Sequence, residues 1–178
     1  IVDDVKRNGC NAILTSNKHK AGTDRIHAAL KKSNIRDVDF IMNLQGDEPA
    51  INIDDIIKLN DKMIKNHSNL GTLAAPIKDN KNFKNPNIVK VITEKKLEKD
   101  HFPKALSFLR ISEKMDNIYH HVGIYCYSKD SLEKFVQLNQ SKNEIKNRLE
   151  QLRALDNNID INVSLAKSSP IGIDTKED

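Results

Sequence analysis

A run of apolar, β-branched and aromatic residues at 38–44 ends abruptly in Gln45-Gly46-Asp47-Glu48-Pro49, and that ending is where this sequence could first do chemistry. A run bounded by Gly and Pro predicts a buried strand opening into a loop. Ligands of open α/β sheets sit beyond the carboxyl ends of the strands. Asp47 would then stand at a strand tip, where a hard cation could bridge it to phosphate oxygens. Gly-Asp and Glu-Pro also make a plain turn, so spacing alone leaves both readings open. A second candidate is Ala21-Gly22-Thr23-Asp24-Arg25. Thr23 is expected to cap a helix with Ile26, Ala29 and Leu30 on one face. The free N–H groups of that helix start, with Gly22 before it, suit an anion, although most capped helix starts bind nothing. Asp174, taken alone, reads as an acid beside the positive end of a following helix.

These residues need a scaffold, and the chain order supplies one. Helical character at 2–8 stops at Gly9, and a short strand is expected at 11–15. After the central strand, Asn52 or Asp54 caps a helix to about Asn66, with Ile56, Leu59 and Met63 on its core face. Strands are expected at 70–77, at 88–93, at 105–109 (delivering Arg110 at its end) and at 121–127. In the last of these, Val122, Ile124 and Cys126 take one face and His121, Tyr125 and Tyr127 lie near the other. Helices follow at 130–138 and 143–155; Ile145, Leu149 and Leu152 share a face of the second, with Glu150 and Gln151 to one side. A half-buried strand is expected at 159–165. Alternating strands and helices in the first half predict a parallel α/β sheet. Paired strands without helices in the second half predict an antiparallel extension.

Composition narrows the function. The 178 residues are 38% apolar and 30% charged, with a net charge of +4, which suits one sizeable globular core. The lysines are dispersed and no basic run is interleaved with aromatics, so nucleic acid is not the expected partner; a mild positive balance suits a small anion. Cys10 and Cys126 follow no metal-ligand spacing and are expected to be reduced, buried thiols. No apolar run reaches membrane-spanning length, and no membrane partner is expected.

Six stretches in register carry a resemblance over nearly the whole chain: Ala21-Gly22-Thr23-Asp24-Arg25, Asn43-Leu44-Gln45-Gly46-Asp47-Glu48-Pro49, Asn85-Pro86-Asn87-Ile88-Val89-Lys90, His121-Val122-Gly123-Ile124-Tyr125, Leu149-Glu150-Gln151-Leu152-Arg153 and Gly172-Ile173-Asp174-Thr175. Together they resemble the 3-deoxy-manno-octulosonate cytidylyltransferases, or CMP-Kdo synthetases. The resemblance implies a nucleotide-diphospho-sugar transferase-like (Rossmann-like) three-layer α/β fold with a mixed central sheet. It implies a cytoplasmic homodimer that uses Mg²⁺ to join CTP and Kdo, giving CMP-Kdo and pyrophosphate for lipopolysaccharide synthesis. By resemblance, Asp47 and Asp174 are the catalytic, magnesium-binding acids. Gly22, Thr23, Arg25 and Gln45 are nucleotide-binding. Arg110, His121, Tyr125, Glu150 and Gln151 are substrate-binding, Arg110 being placed to pair with the sugar carboxylate.

The sequence also departs from the family pattern. Nothing matches the family's opening strand and basic phosphate-gripping loop, and the chain is read as a single domain over 1–178 lacking these and a C-terminal helix. Without that loop the 178-residue chain alone is expected to be inactive; normal turnover with CTP, Kdo and Mg²⁺ would overturn this. Around Arg110 the segment reads Ser107-Phe108-Leu109-Arg110, His120 replaces an Arg, and Pro170 replaces a Gly. Two alternatives stay in view: a cytidylyltransferase for another acid sugar such as neuraminate, and a silent homologue serving as a binding or dimerisation subunit.

Overall fold

The computed structural model describes residues 1–19, 21–46 and 50–168. Along them run α1 (Val2–Arg7), α2 (Gly22–Lys32), β1 (Phe40–Asn43), α3 (Ile53–Asn66), β2 (Leu70–Ala75), β3 (Lys90–Thr93), β4 (Ala105–Leu109), β5 (Ile118–Ser128), α4 (Lys129–Gln137), α5 (Lys142–Asn147), α6 (Leu152–Asp156) and β6 (Asn162–Leu165). The Asn52 side chain caps α3 by accepting from the Asp54 N–H, leaving Asp54 and Asp55 in the first turn, where the helix dipole favours acids.

The long strand β5 organises the sheet. Its alternation divides the core: Tyr125 and Tyr127 pack with Leu132 and Phe135 of α4 and Leu152 of α6, whereas Val122, Ile124 and Cys126 pack with Leu59 and Met63 of α3. Helices therefore cover both faces, in three layers. β2 runs antiparallel along one edge of β5, from Leu70 opposite Tyr127 to Ala75 opposite His120. The other edge is shared. β3 pairs with its start, Lys90 opposite His120, and β1 with its end, Asn43 opposite Tyr125. Between them a short length of the β5 edge, around Gly123, has no strand beside it among the described residues.

At that point β5 also bulges, since Thr72 pairs with Tyr125 but the next residue, Leu73, pairs with Val122. Bulges re-aim side chains and often flank active sites. The bulge is held by Thr72, whose hydroxyl lies 2.7 Å from the Ile124 carbonyl and 3.3 Å from that of Val122. The strand path β4-β3-β5-β2-β6 returns on itself: the Ala105 N–H donates to the Ile161 carbonyl at 2.7 Å and the Val163 N–H to the Pro103 carbonyl at 2.8 Å.

Several expectations need correction. The sheet is mixed: β1 and β2 run in the same direction, as expected, but they are not neighbours, because β5 lies antiparallel between them, and among the described strands the parallel neighbours are β2 and β6. β1 is half-buried rather than buried and covers only Phe40–Asn43. Residues 11–15 form no strand. Two of their oxygens are met by α2, where Lys32 Nζ reaches the Leu14 carbonyl at 3.0 Å and Arg25 reaches Thr15 Oγ1 at 3.3 Å. The helix expected at 143–155 is two helices, broken at Arg148 in the left-handed conformation (φ 53°); Ile145 is consequently 60% exposed rather than part of a core face. Cys126 is buried, its thiol pushed up to about 12 by desolvation, but Cys10 is exposed. Among the described residues no helix is long and apolar enough to cross a membrane.

Candidate active site

The open edge of β5 borders a cavity of about 530 Å³. Gly22, Thr23, Arg25 and Ile26 line it from α2, Asn43, Leu44, Gln45 and Gly46 from the end of β1, Tyr125 and Tyr127 from β5, and Glu150 and Gln151 from the turn before α6. The position follows from the topology. β1 ends at Asn43 just where β5 bulges, and Gln45 fills the gap in the β5 edge by donating from Nε2 to the Gly123 carbonyl at 2.6 Å. A Cβ on Gly123 would stand 3.0 Å from that amide nitrogen, so glycine gives Gln45 its room.

Thr23 does not cap α2. The N-cap is Ala21, without a side-chain bond, and Thr23 is buried one residue inside, its hydroxyl 3.2 Å from that of Tyr127. Burial there draws the hydroxyl to a polar partner within reach rather than to the helix end. Burial also raises the Tyr127 phenol, and raises Tyr125 well above the ordinary tyrosine value, so both hydroxyls are neutral donors and acceptors. Glu150 is pushed up by desolvation and drawn back by Thr23 and by the Arg153 cation. Its Oε1 is buried without a hydrogen-bond partner. An unmet acceptor of this kind suits a ligand hydroxyl or amine.

Seven of the eleven residues named from the sequence thus line one cavity: Gly22, Thr23, Arg25, Gln45, Tyr125, Glu150 and Gln151. Arg110 and His121 stand outside its lining. The Arg110 guanidinium donates to the carbonyls of Asn147 at 2.8 Å, Pro86 at 3.0 Å and Arg148 at 2.9 Å, so it secures the carboxyl end of α5, where a cation is favoured. His121 lies behind Tyr125, their ring centroids 5.5 Å apart, with Nε2 3.0 Å from Thr72 Oγ1. Burial, and secondarily His120, lowers it to about 3, which leaves it uncharged at neutral pH. Asp47 and Asp174 lie outside the described residues, and among those described no group of three His, Cys, Asp or Glu could hold a metal ion.

Sequence reasoning did not single out Asn43, Leu44, Gly46, Ile26 and Tyr127 as site residues. Two signals were present: Asn43 ends the strand whose tip was singled out, and Tyr127 is two residues from Tyr125 on the same face.

Comparison with known proteins accords with this geometry. The cytidylyltransferase family profile matches residues 1–161. The chain is 40% identical to the 3-deoxy-manno-octulosonate cytidylyltransferase of Thermodesulfovibrio yellowstonii, across 100% of this chain and 74% of that protein. It is 39% identical to the enzyme of the same name from Bartonella henselae, across 96% and 70%. A CMP:2-keto-3-deoxy-manno-octonic acid synthetase solved in complex with CTP superposes with a TM-score of 0.86 at 31% identity, covering 99% of this chain and 72% of that one. The three-layer, mixed-sheet arrangement is accordingly the nucleotidyltransferase fold, and the chain belongs to the 3-deoxy-manno-octulosonate cytidylyltransferase family.

Proposed function

We propose that this protein transfers CMP from CTP to Kdo, releasing pyrophosphate, and that the cavity between α2, β1 and β5 is where the two substrates meet. The observation that carries the reading is the convergence of seven family-motif residues on one cavity, in a chain that superposes on a CTP-bound synthetase. The anomeric hydroxyl of the sugar acid attacks the α-phosphorus, a P–O bond forms as the hydroxyl proton is released to solvent, and the bond to the pyrophosphate oxygen breaks. Such a displacement needs mainly alignment and charge compensation. Gln45, held by Gly123, offers its amide oxygen as an acceptor. Glu150 offers Oε1 to a hydroxyl, and the neutral tyrosines complete a wall that excludes water. Asp47 and Asp174 are the acids proposed to hold Mg²⁺; two carboxylates are donors of the hard oxygen type this ion takes. When bound, the ion would supply neutralisation of charge on the phosphates. Arg110 and His121 keep their proposed sugar-side role, Arg110 through N–H bonds not committed to carbonyls. We also read the protein as a cytoplasmic homodimer supplying lipopolysaccharide synthesis.

The test is turnover by the complete gene product with CTP, Mg²⁺ and a panel of acid sugars, pyrophosphate release being measured. Kdo is expected to be the preferred acceptor and chelation of the metal to abolish the signal. Turnover with neuraminate but not Kdo would replace the substrate assignment, and absence of turnover with every acid sugar would favour the silent homologue.

Gly22 allows a sharper check. A Cβ there would meet nothing nearer than Glu150 Oε2 at 4.0 Å. Gly22→Ala is therefore expected to change stability by no more than about 0.5 kcal/mol, while weakening CTP binding measured by calorimetry. Unchanged CTP affinity would mean that the nucleotide does not approach this backbone.

A further inference from the structure

The break between α5 and α6 turns Glu150 and Gln151 into the cavity, and a buried ion pair spans that break. Glu144 Oε2 accepts from Arg153 Nε at 2.9 Å and Oε1 from Arg153 Nη2 at 2.5 Å. The two side chains are only 5% and 3% exposed. Glu144 also closes a capping box with Ser141 at the start of α5 and takes the Gln140 amide at 3.2 Å, so its position is fixed on the α5 side. Arg153 is fixed on the other side, its own N–H donating to the Glu150 carbonyl at 3.0 Å. Its guanidinium lies 4.7 Å from the Phe135 ring centroid. Phe135 meets Tyr127 edge-on at 5.9 Å, and Tyr127 holds Thr23 across the cavity.

We propose that Arg153, locked on Glu144, is the positioning residue for Glu150 and Gln151 in the nucleotidyl-transfer site. Removing two charges from water costs about as much as their attraction returns, and a well-packed apolar pair is often as stable or more so. Stability is therefore a poor account of this pair. Registry is a better one, because the bidentate fork fixes both the distance and the angle across a turn whose Arg148 is left-handed. The pair also bears on the Glu150 carboxyl. Facing that group are Arg153 from α6, Glu144 from α5, Thr23 and Asp24 from α2, and Tyr125 and Tyr127 from β5. Burial, Asp24 and Glu144 push this carboxyl up, whereas Arg153 pulls it down, toward the ionised, accepting form, more strongly than Glu144 opposes it.

The inference rests on the proposed transfer activity, and the test separates the two. In the complete gene product, Arg153→Met with Glu144→Leu removes both charges and keeps apolar volume. Tm is expected to stay near wild type. KM for the sugar acid should rise at least tenfold, and the acid limb of the kcat/KM profile should move to higher pH. Arg153→Lys keeps the charge and loses the fork; it should raise KM but leave the acid limb in place. A folded double variant with wild-type KM and pH profile overturns the proposal. If the double variant does not fold, wild-type KM in Arg153→Lys overturns it alone. The chain has no Trp and three Tyr, so near-ultraviolet circular dichroism gives a readout independent of turnover. A loss of tyrosine signal in the folded Arg153→Lys variant supports the proposal even where the wild type transfers no CMP to Kdo, and an unchanged spectrum there counts against it.

Discussion

Gly71→Ala is expected to lower the stability of this protein by about 3 kcal/mol, near the upper end of what overpacking a core usually costs. Gly71 sits in β2 directly beneath α3. A Cβ built there would stand 2.5 Å from Met63 Sδ, 3.0 Å from Phe102 Cζ and 3.1 Å from Leu59 Cδ1. Met63 and Leu59 are wholly buried, so neither side chain can swing into solvent, and relief requires α3 to lift from the sheet. The loss is a large part of the 5–15 kcal/mol that ordinarily separates folded from unfolded domains. Chemical denaturation of the wild type and Gly71→Ala should show a lower midpoint with an unchanged slope. Equal midpoints would mean that α3 is not seated as described. Met63→Ala in the Gly71→Ala background is expected to restore part of the loss, because it empties the space the new methyl needs.

Acid is expected to destabilise the fold well before the carboxylates titrate. His121 is lowered from 6.5 to about 3, chiefly by burial, so its folded pKa lies below its unfolded one. The sign follows from linkage. The native state excludes a proton that the unfolded chain accepts, so the stabilisation is complete above about 6.5 and is lost progressively as pH falls toward 3. At one pKa unit per 1.36 kcal/mol, roughly 2 kcal/mol is lost by pH 5 and roughly 4–5 kcal/mol at the acid limit. The neighbouring His120, lowered to about 4 by burial and by Lys90, adds to the same slope. The Thr72 hydroxyl proton belongs with the Ile124 carbonyl at 2.7 Å, so Thr72 Oγ1 accepts from His121 Nε2–H. His121→Gln keeps a donor for Thr72 and removes the titration. Urea midpoints measured from pH 8 to 4 should fall less steeply in that variant. Parallel curves would mean that His121 is not the group being protonated.

The legible and illegible parts of this molecule divide on physical lines. Local rules gave β4 its bounds, narrowed the α3 cap to Asn52 or Asp54, and placed Val122, Ile124 and Cys126 opposite Tyr125 and Tyr127, because capping and pleat alternation are properties of short stretches. The residues named from motifs gathered in one cavity where motif and topology coincide, at the end of β1 and the start of α2. Distant partners governed what was not legible. Nothing local to Thr23 announces Tyr127, 104 residues away. The helical pattern at 143–155 is continuous in sequence, yet Glu144 and Arg110 hold the chain broken there through contacts 9 and 37 residues away. The strand expected at 11–15 fails for the same reason: apolar character makes a strand only where a neighbour takes its hydrogen bonds.

The meeting of residues 103–105 with 161–163 also bears on how the molecule opens. A sheet with two loose ends frays from them, and its outer amides exchange first. Here the ends are tied together, so separating them gives up pairings from two distant stretches of chain at once. Amide hydrogens of Ala105 and Val163 should therefore exchange on the same slow timescale as those at the centre of β5, and the closing of so long a loop is a natural late event in refolding.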